Sequence, residues 1–374
     1  MIEATPTTST LSERLRERIR SEGPITFCDW MKAALYDESE GYYCRPNSNP
    51  WGREGDYRTS PERSALFAMT FARYFAALHE SLGRPAKWII VEAGAGEGSF
   101  AGGVLKTLRD FFPEVFSATH YIIDEINSEA RAVVGERLKV FADRIEFGSL
   151  RETQLNPNVV FSNELFDAFP VHRVILSNGE LREFYVDIGL DDNFVWKLGP
   201  TSSERIVKYF EENEIHLVES QVAEVNLTTE DWLRHVSRKL TRGYLITVDY
   251  GLDANALYSP TERMEGTLRG FSSHRHVEDL LADPGEQDLT ATVNWTFVQH
   301  LGAKLGLRTV NFERQDKFLL SAGLLTQLQL ESARAADDAE RLSLTTAARE
   351  MILPGGMATS FQVLVQEREL VGEG

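Results

Sequence analysis

The stretch "WIIVEAGAGEGSF", Trp88 to Phe100, decides how the rest of the chain is read. Trp88–Val91 is a short, β-branched apolar run, the signature of a buried parallel strand. An acid, Glu92, then precedes glycines at alternate positions, Gly94, Gly96 and Gly98. Glycines at such a point let the chain turn sharply and let a ligand come close to the backbone. Beyond them, "SFAGGVLKTLRDFF" spaces Phe100, Val104, Leu105 and Leu108 along one helical face. Strand, glycine loop and helix together make a nucleotide-binding unit.

Strand and helix patterns alternate outward from this unit. Further strands are expected near Tyr121–Asp124, Ile145–Phe147, Val159–Ser162, Tyr244–Val248 and Arg308–Phe312, with "SFQVLVQER" as the last. The alternation predicts an α/β protein with a doubly wound, mostly parallel sheet. "VHRVILSNGELREFYVDI" interrupts it with an Asn178-Gly179 turn between alternating runs, a hairpin signal. A β insertion is therefore expected to project over the ligand edge of the sheet. A second insertion runs from about Leu252 to Thr292, and helical sequence covers Gln315–Met351. Toward the N-terminus, Leu11, Leu15 and Ile19 space a helix that Gly23-Pro24 stops. Thr26 and Asp29 stand in capping-box positions for a second. A Gly/Pro/Asn-rich loop from Glu40 ends at "TSPE", where Ser60 and Pro61 open the helix that runs to Gly83.

The bulk numbers narrow the function. With 39 basic and 57 acidic residues the formal charge is −18, which argues against a phosphate-tracking nucleic-acid binder and suits cationic ligands. No apolar run is long enough to span a membrane. The start of the chain lacks a signal-peptide core, and its acids argue against a transit peptide. Cys28 and Cys44 give neither metal spacing nor a disulfide framework, so a reducing, cytoplasmic setting is expected.

The loop also narrows the ligand. A dinucleotide fingerprint needs glycine at 94, 96 and 99, but position 99 is Ser99; a P-loop needs a closing Gly-Lys-Ser/Thr, which Gly102-Gly103-Val104 does not supply. Glu92-x-Gly94-x-Gly96-x-Gly98 matches instead the first motif of class I S-adenosylmethionine methyltransferases. That cofactor has no pyrophosphate, and small residues must pass beneath its amino-acid and ribose parts. An acid after the second strand can accept both ribose hydroxyls, and "YIIDEIN" offers Asp124 and Glu125.

Seven stretches then converge: "GPITFCDWMKAALYDESEGYY", "GDYRTSPE", "VEAGAGEGSF", "SNELFDAFPVHR", "ITVDYG", "GTLRGFSSHRHVEDLLADPGEQDLTATVNW" and "FQVLVQ". In that order they resemble the MidA family of S-adenosylmethionine-dependent methyltransferases over nearly the whole chain. Mitochondrial members of that family are complex I assembly factors with protein arginine methyltransferase activity. The resemblance implies a class I methyltransferase-like fold. Residues 1–83 would form a helical lid over the cofactor, and residues 84–374 the methyltransferase domain, with insertions at about 171–220 and 252–292. It selects Glu125 as the ribose acid and brings Asp56 and Thr59 of "GDYRTSPE" to the cofactor. The partners implied are a protein substrate and an assembly client, such as one of a respiratory complex; a homodimer stays open. The chain departs from the family's proline-containing loop at Gly94-Ala95-Gly96-Glu97-Gly98.

Arginine is a poor nucleophile, and flanking carboxylates would localise its charge and orient one nitrogen. "SNELFDAFP" follows the fourth strand, where substrate-facing groups are expected. Asn163, Glu164 and Asp167 are the catalytic candidates, the two acids sharing one helical turn. Glu92 and Glu97 are candidates for the cofactor's amino group. His274, His276 and Asp288 invite a metal reading, but the histidines lie in a loop without a specified third ligand, and no metal is expected. The rival functions are a small-molecule O- or N-methyltransferase and a cofactor-binding assembly factor without turnover.

Overall fold

The run Trp88–Ala93, buried at every position, is the central strand, β1, of a twisted sheet. In this computed structural model, residues 9–45, 65–150, 156–272, 275–353 and 360–369 are described. Along the main path of the sheet the other strands are β2 (Thr119–Asp124), β3 (Ile145–Phe147), β4 (Val159–Asn163), β5 (Gly243–Leu252), β6 (Arg308–Arg314) and β7 (Phe361–Arg368). They lie in the order β6-β7-β5-β4-β1-β2-β3. β1 pairs in parallel with β2 and β4, β2 with β3, and β4 with β5. β7 alone is antiparallel to both its neighbours, β5 and β6. The doubly wound, mostly parallel sheet expected from the alternation is therefore present.

The parallel strands read as near-continuous apolar runs because both faces are covered. Phe71, Phe100, Phe161 and Phe318 form the centre of that core, with the Phe100 and Phe161 rings stacked at 4.1 Å. Helix Ala65–Ser81 buries almost its whole length against it. The helical sequence after β6 is three helices, Gln315–Ser321, Leu324–Arg334 and Asp338–Ile352. Gly323, at φ 98°, turns the chain at the first break, and the Asp337 side chain caps the third helix.

The chain divides into two compact units: Met1–Pro50 with Asp167–Glu230 and Leu252–Phe297, and Trp51–Phe166 with Asp231–Gly251 and Val298–Gly374. The second unit holds the sheet just described. In the first unit, strands Ile25–Thr26, His172–Ser177, Glu180–Ile188, Phe194–Pro200 and Val222–Val225 form a separate antiparallel sheet. Its hairpin turns at Asn178 and Gly179, with φ 55° and 75°, as an Asn-Gly turn with two positive φ values requires. Helix Leu11–Glu22 carries a complete capping box between Thr10 and Glu13, and Thr26 caps helix Phe27–Tyr36. A small sheet of Arg269–Ser272, Arg275–Val277 and Asp288–Thr290 lies in the second insertion. Ile25-Thr26 pairs with Val186 and Tyr185, which joins the N-terminal helices to the insertion. Two paired residues leave no periodicity to read.

Candidate active site

The connections reverse direction between β1 and β4: the chain steps from β1 to β2 and β3 on one side, then returns to β4 on the other. In open α/β sheets the ligand crevice lies outside the carboxyl ends of the strands at such a switch point. Gly94–Gly98 follow β1 and Glu125 follows β2. Asn163 ends β4, and Asp249 sits near the end of β5.

The loop is built by its glycines. Gly94, Gly96 and Gly98 take φ 72°, 52° and 72°, a region costly for any residue with a Cβ. A Cβ on Gly98 would also come within 2.9 Å of Val134. The loop is stapled to β2 by hydrogen bonds: Gly94 N donates to Asp124 O at 2.8 Å, and Gly96 N to Glu125 Oε2 at 2.8 Å. The other Glu125 oxygen accepts from Asn127 N at 2.9 Å. The carboxylate is 7% exposed, and burial raises its pKa; the Asn127 and Gly96 amides oppose that rise and Asp124 adds to it. Each carboxylate oxygen can accept a second hydrogen bond, so Glu125 suits a vicinal diol held above the loop. Asp124, the other acid of the pair, accepts from Leu150 N with Oδ2 at 2.8 Å.

Glu92 lies on the same face as Tyr121, whose hydroxyl donates to Oε2 at 2.8 Å. Burial pushes the Glu92 carboxyl up to about 8, with the Tyr121 bond opposing and the charge of Glu125 adding. Burial thus favours the protonated form of Glu92 in the absence of a cationic partner. The consequence for stability has a definite sign. A folded pKa raised from 4.5 to about 8 contributes stability that is complete below about 4.5 and is lost as pH rises through 8. Glu92→Gln keeps an acceptor for Tyr121 and removes the titration. The variant's stability is expected to gain on the parent's from about pH 5 to 8, by up to about 1.4 kcal/mol per pH unit, and to level off above that. Parallel curves in calorimetric melts would remove the buried-acid assignment.

Past β4 the expected helical turn does not form: residues 164–169 are bends and turns. The cause is local. Glu164 takes φ 51°, outside the helical region, and its N donates to Val248 O at 2.9 Å. The next two amides, of Leu165 and Phe166, donate to Asp249 Oδ2 at 3.2 and 2.9 Å instead of entering a helix. Asp249 is fully buried. Asn163 Nδ2 donates to Glu164 Oε1 at 2.9 Å, so these two candidates are brought together. Asn163 Oδ1 is buried and has no hydrogen-bond partner among the described residues. Asp167 belongs to the first unit, where its main-chain oxygen accepts from Ala291 N at 2.9 Å.

Glu97 accepts from Arg137 Nη2 at 2.9 Å, and Arg137 also donates to Ser99 Oγ at 2.5 Å. That carboxylate ties the loop to helix Ser128–Arg137. Asp56, Thr59 and His274 lie outside the described residues. His276 sits in strand Arg275–Val277, and Asp288 accepts from the buried Tyr43 hydroxyl at 2.6 Å. Sequence reasoning missed Tyr121 and Asp249. The signal for Asp249 was present in "VDYG", an acid near the end of the strand beside β4.

A glycine loop and a buried acid at the switch point of this strand order define a class I S-adenosylmethionine-dependent methyltransferase. A family model for S-adenosyl-L-methionine-dependent methyltransferases matches residues 70–313, and the chain belongs to that family, the MidA-like one that the motifs resemble. Similar proteins include protein arginine methyltransferase NDUFAF7 of Bos taurus, 26% identical over 96% of this chain and 83% of that one. The human NDUFAF7 is 25% identical over 93% and 81%. The Drosophila melanogaster homolog is 27% identical over 79% and 70%. Among solved structures, a Burkholderia thailandensis protein bound to S-adenosyl-homocysteine superposes with TM-score 0.82 at 27% identity, covering 99% of this chain and 96% of that one. The cofactor is therefore S-adenosylmethionine.

Proposed function

We propose that this methyltransferase transfers its methyl group to an arginine nitrogen of a protein substrate. The observation that carries the reading is the buried, unpartnered Asn163 Oδ1 beside the Glu164 carboxylate at the carboxyl end of β4. An orphaned buried acceptor costs about 1–3 kcal/mol, so the site favours a ligand that brings donors. A guanidinium brings five N–H donors in one plane. The net charge of −18 and the names of the NDUFAF7 relatives support the same substrate class.

The residues present fit the cofactor. The main chain of Gly94–Gly98 would pass beneath it, and Glu125 would take its ribose hydroxyls. Asp56 and Thr59 stay with the cofactor site by resemblance. When bound, S-adenosylmethionine supplies an electrophilic methyl group on a sulfonium. The chain's own task is to orient the guanidinium and localise its charge, for which Glu164, Asn163 and Asp167 are the proposed groups. An assembly client of a respiratory complex, a homodimer and a cytoplasmic setting belong to the same proposal; the two cysteines, neither in a disulfide, support a reducing compartment.

The test is incubation with radiolabelled S-adenosylmethionine and cell extract, followed by mass spectrometry of labelled products. Methylarginine in a protein is the expected product. Label confined to small molecules would make this a small-molecule enzyme. Tight cofactor binding with no labelled product would make it an assembly factor without turnover.

A further inference from the structure

The turn after β4 is locked from several sides, and one buried side chain in the "ITVDYG" stretch joins them. Val248 of β5 stands opposite Asn163 of β4, so Asp249 comes one residue further, beside the turn. Its Oδ2 accepts from Leu165 N at 3.2 Å and from Phe166 N at 2.9 Å, and its Oδ1 accepts from Tyr250 N at 2.9 Å. A carboxylate is acceptor-only, with about four lone-pair sites, so a single side chain can take all these amides. The two residues it holds pack against different elements. Leu165 Cδ1 lies 3.1 Å from where a Cβ on Gly94 would stand, so Leu165 rests on the first glycine of the cofactor loop. The Phe166 ring meets Trp232 edge-on, with centroids 5.2 Å apart. Just before them, Glu164 N donates to Val248 O, and Glu164 Oε1 accepts from Asn163 Nδ2. The left-handed φ of Glu164 decides where its carboxylate stands, and Asp249 maintains that φ by keeping the next two amides out of a helix.

We propose that Asp249 is a positioning residue for methyl transfer. It acts through the turn: it keeps Glu164 at the substrate and Leu165 against Gly94, so one buried carboxylate sets the substrate-facing acid in register with the cofactor loop. The proposal rests on the reading of Glu164 as the group that orients the substrate. Without Asp249 the Leu165 and Phe166 amides are released to a helical turn. Glu164 then leaves the left-handed region and swings away from Asn163, and Leu165 leaves Gly94. A misplacement of about 1 Å in such a group costs up to about a hundredfold in rate.

The experiment uses the full chain with saturating radiolabelled S-adenosylmethionine and cell extract. Asp249→Ala is expected to slow labelling at least about tenfold, while calorimetric binding of S-adenosyl-homocysteine weakens only severalfold. Asp249→Asn keeps an oxygen for the Leu165 and Phe166 amides and is expected to lose no more than about fivefold. Where the parent labels small molecules instead of protein, the arginine reading fails and the same rates are read on those products. Two further measurements need no substrate. The Leu165 and Phe166 amides of the parent are expected to exchange hydrogen as slowly as those of β4, and faster in the alanine variant. In the Asp249→Ala background, the higher denaturant midpoint of Glu164→Gly over Glu164→Ala is expected to vanish or reverse, since glycine disfavours a helical turn. A folded Asp249→Ala variant that labels at the parent's rate, an asparagine variant as slow as the alanine one, or an unchanged glycine advantage at 164 would overturn the proposal. Where the alanine variant does not fold, the asparagine variant and the parent's exchange decide, and parent amides that exchange as freely as exposed loop amides overturn it.

Discussion

Glu125→Ala is expected to weaken S-adenosylmethionine binding ten- to a hundredfold in calorimetric titration. The magnitude is the net loss of about one charge-assisted hydrogen bond to the ribose, about 1.5–3 kcal/mol, where 1.4 kcal/mol is a factor of ten. A second effect points the same way. The carboxylate accepts from Gly96 N and Asn127 N, so truncation frees two amides and loosens the loop on which the cofactor lies. Glu125→Gln separates the two contributions. It keeps an oxygen for one amide but sets an NH₂ group against the other N–H, and it loses the charge. If the ribose bonds dominate, the glutamine variant binds nearly as weakly as the alanine variant while its melting point stays closer to the parent's. If affinity is unchanged in both, Glu125 is a structural staple and the ribose acid lies elsewhere. Amide hydrogen exchange at Gly96 reports the loop independently, since only loosening accelerates it.

What the sequence made legible is what lies close together along it. Trp88 to Phe111 holds strand, loop and helix in contiguous order, and Asn178-Gly179 carries its turn chemistry in two residues. The sheet followed from the repetition of such units. The parts that escaped depend on partners distant in sequence. Ile25-Thr26 is a strand only because Val186 and Tyr185 stand opposite. Phe194–Pro200, with its irregular burial, became a strand by pairing along Glu180–Ile188. Glu97 meets Arg137, 40 positions along the chain, at 2.9 Å. The turn after β4 read as helical because acids three apart favour that spacing. Asp249, 84 positions along the chain from Leu165, takes the amides that a helix would have needed. Local propensity lost to one buried carboxylate.

That same turn carries the largest expected effect. Glu164 occupies φ 51°, where a side chain costs about 1–2 kcal/mol and glycine costs nothing. Backbone strain of this kind persists where the side chain is needed and the surroundings over-determine the conformation. Here Asp249 holds the following two amides, and Val248 O holds Glu164 N. Two substitutions test whether the strain is retained for function. Glu164→Ala and Glu164→Gly remove the same carboxylate and the same bond from Asn163, so both are expected to lose methyl transfer by a hundredfold or more while binding S-adenosylmethionine within about threefold of the parent. They differ only in the backbone, and the glycine variant should be the more stable by about 1 kcal/mol in denaturant unfolding. Retained turnover in either variant would place the substrate-orienting group elsewhere along the edge of the sheet. Equal stability of the two would mean that the positive φ carries no strain, and the geometric case for a functional glutamate at this position would go with it. Loss of turnover with the stability order as expected leaves one reading: a residue that glycine would serve better structurally is kept acidic for what it does to the substrate.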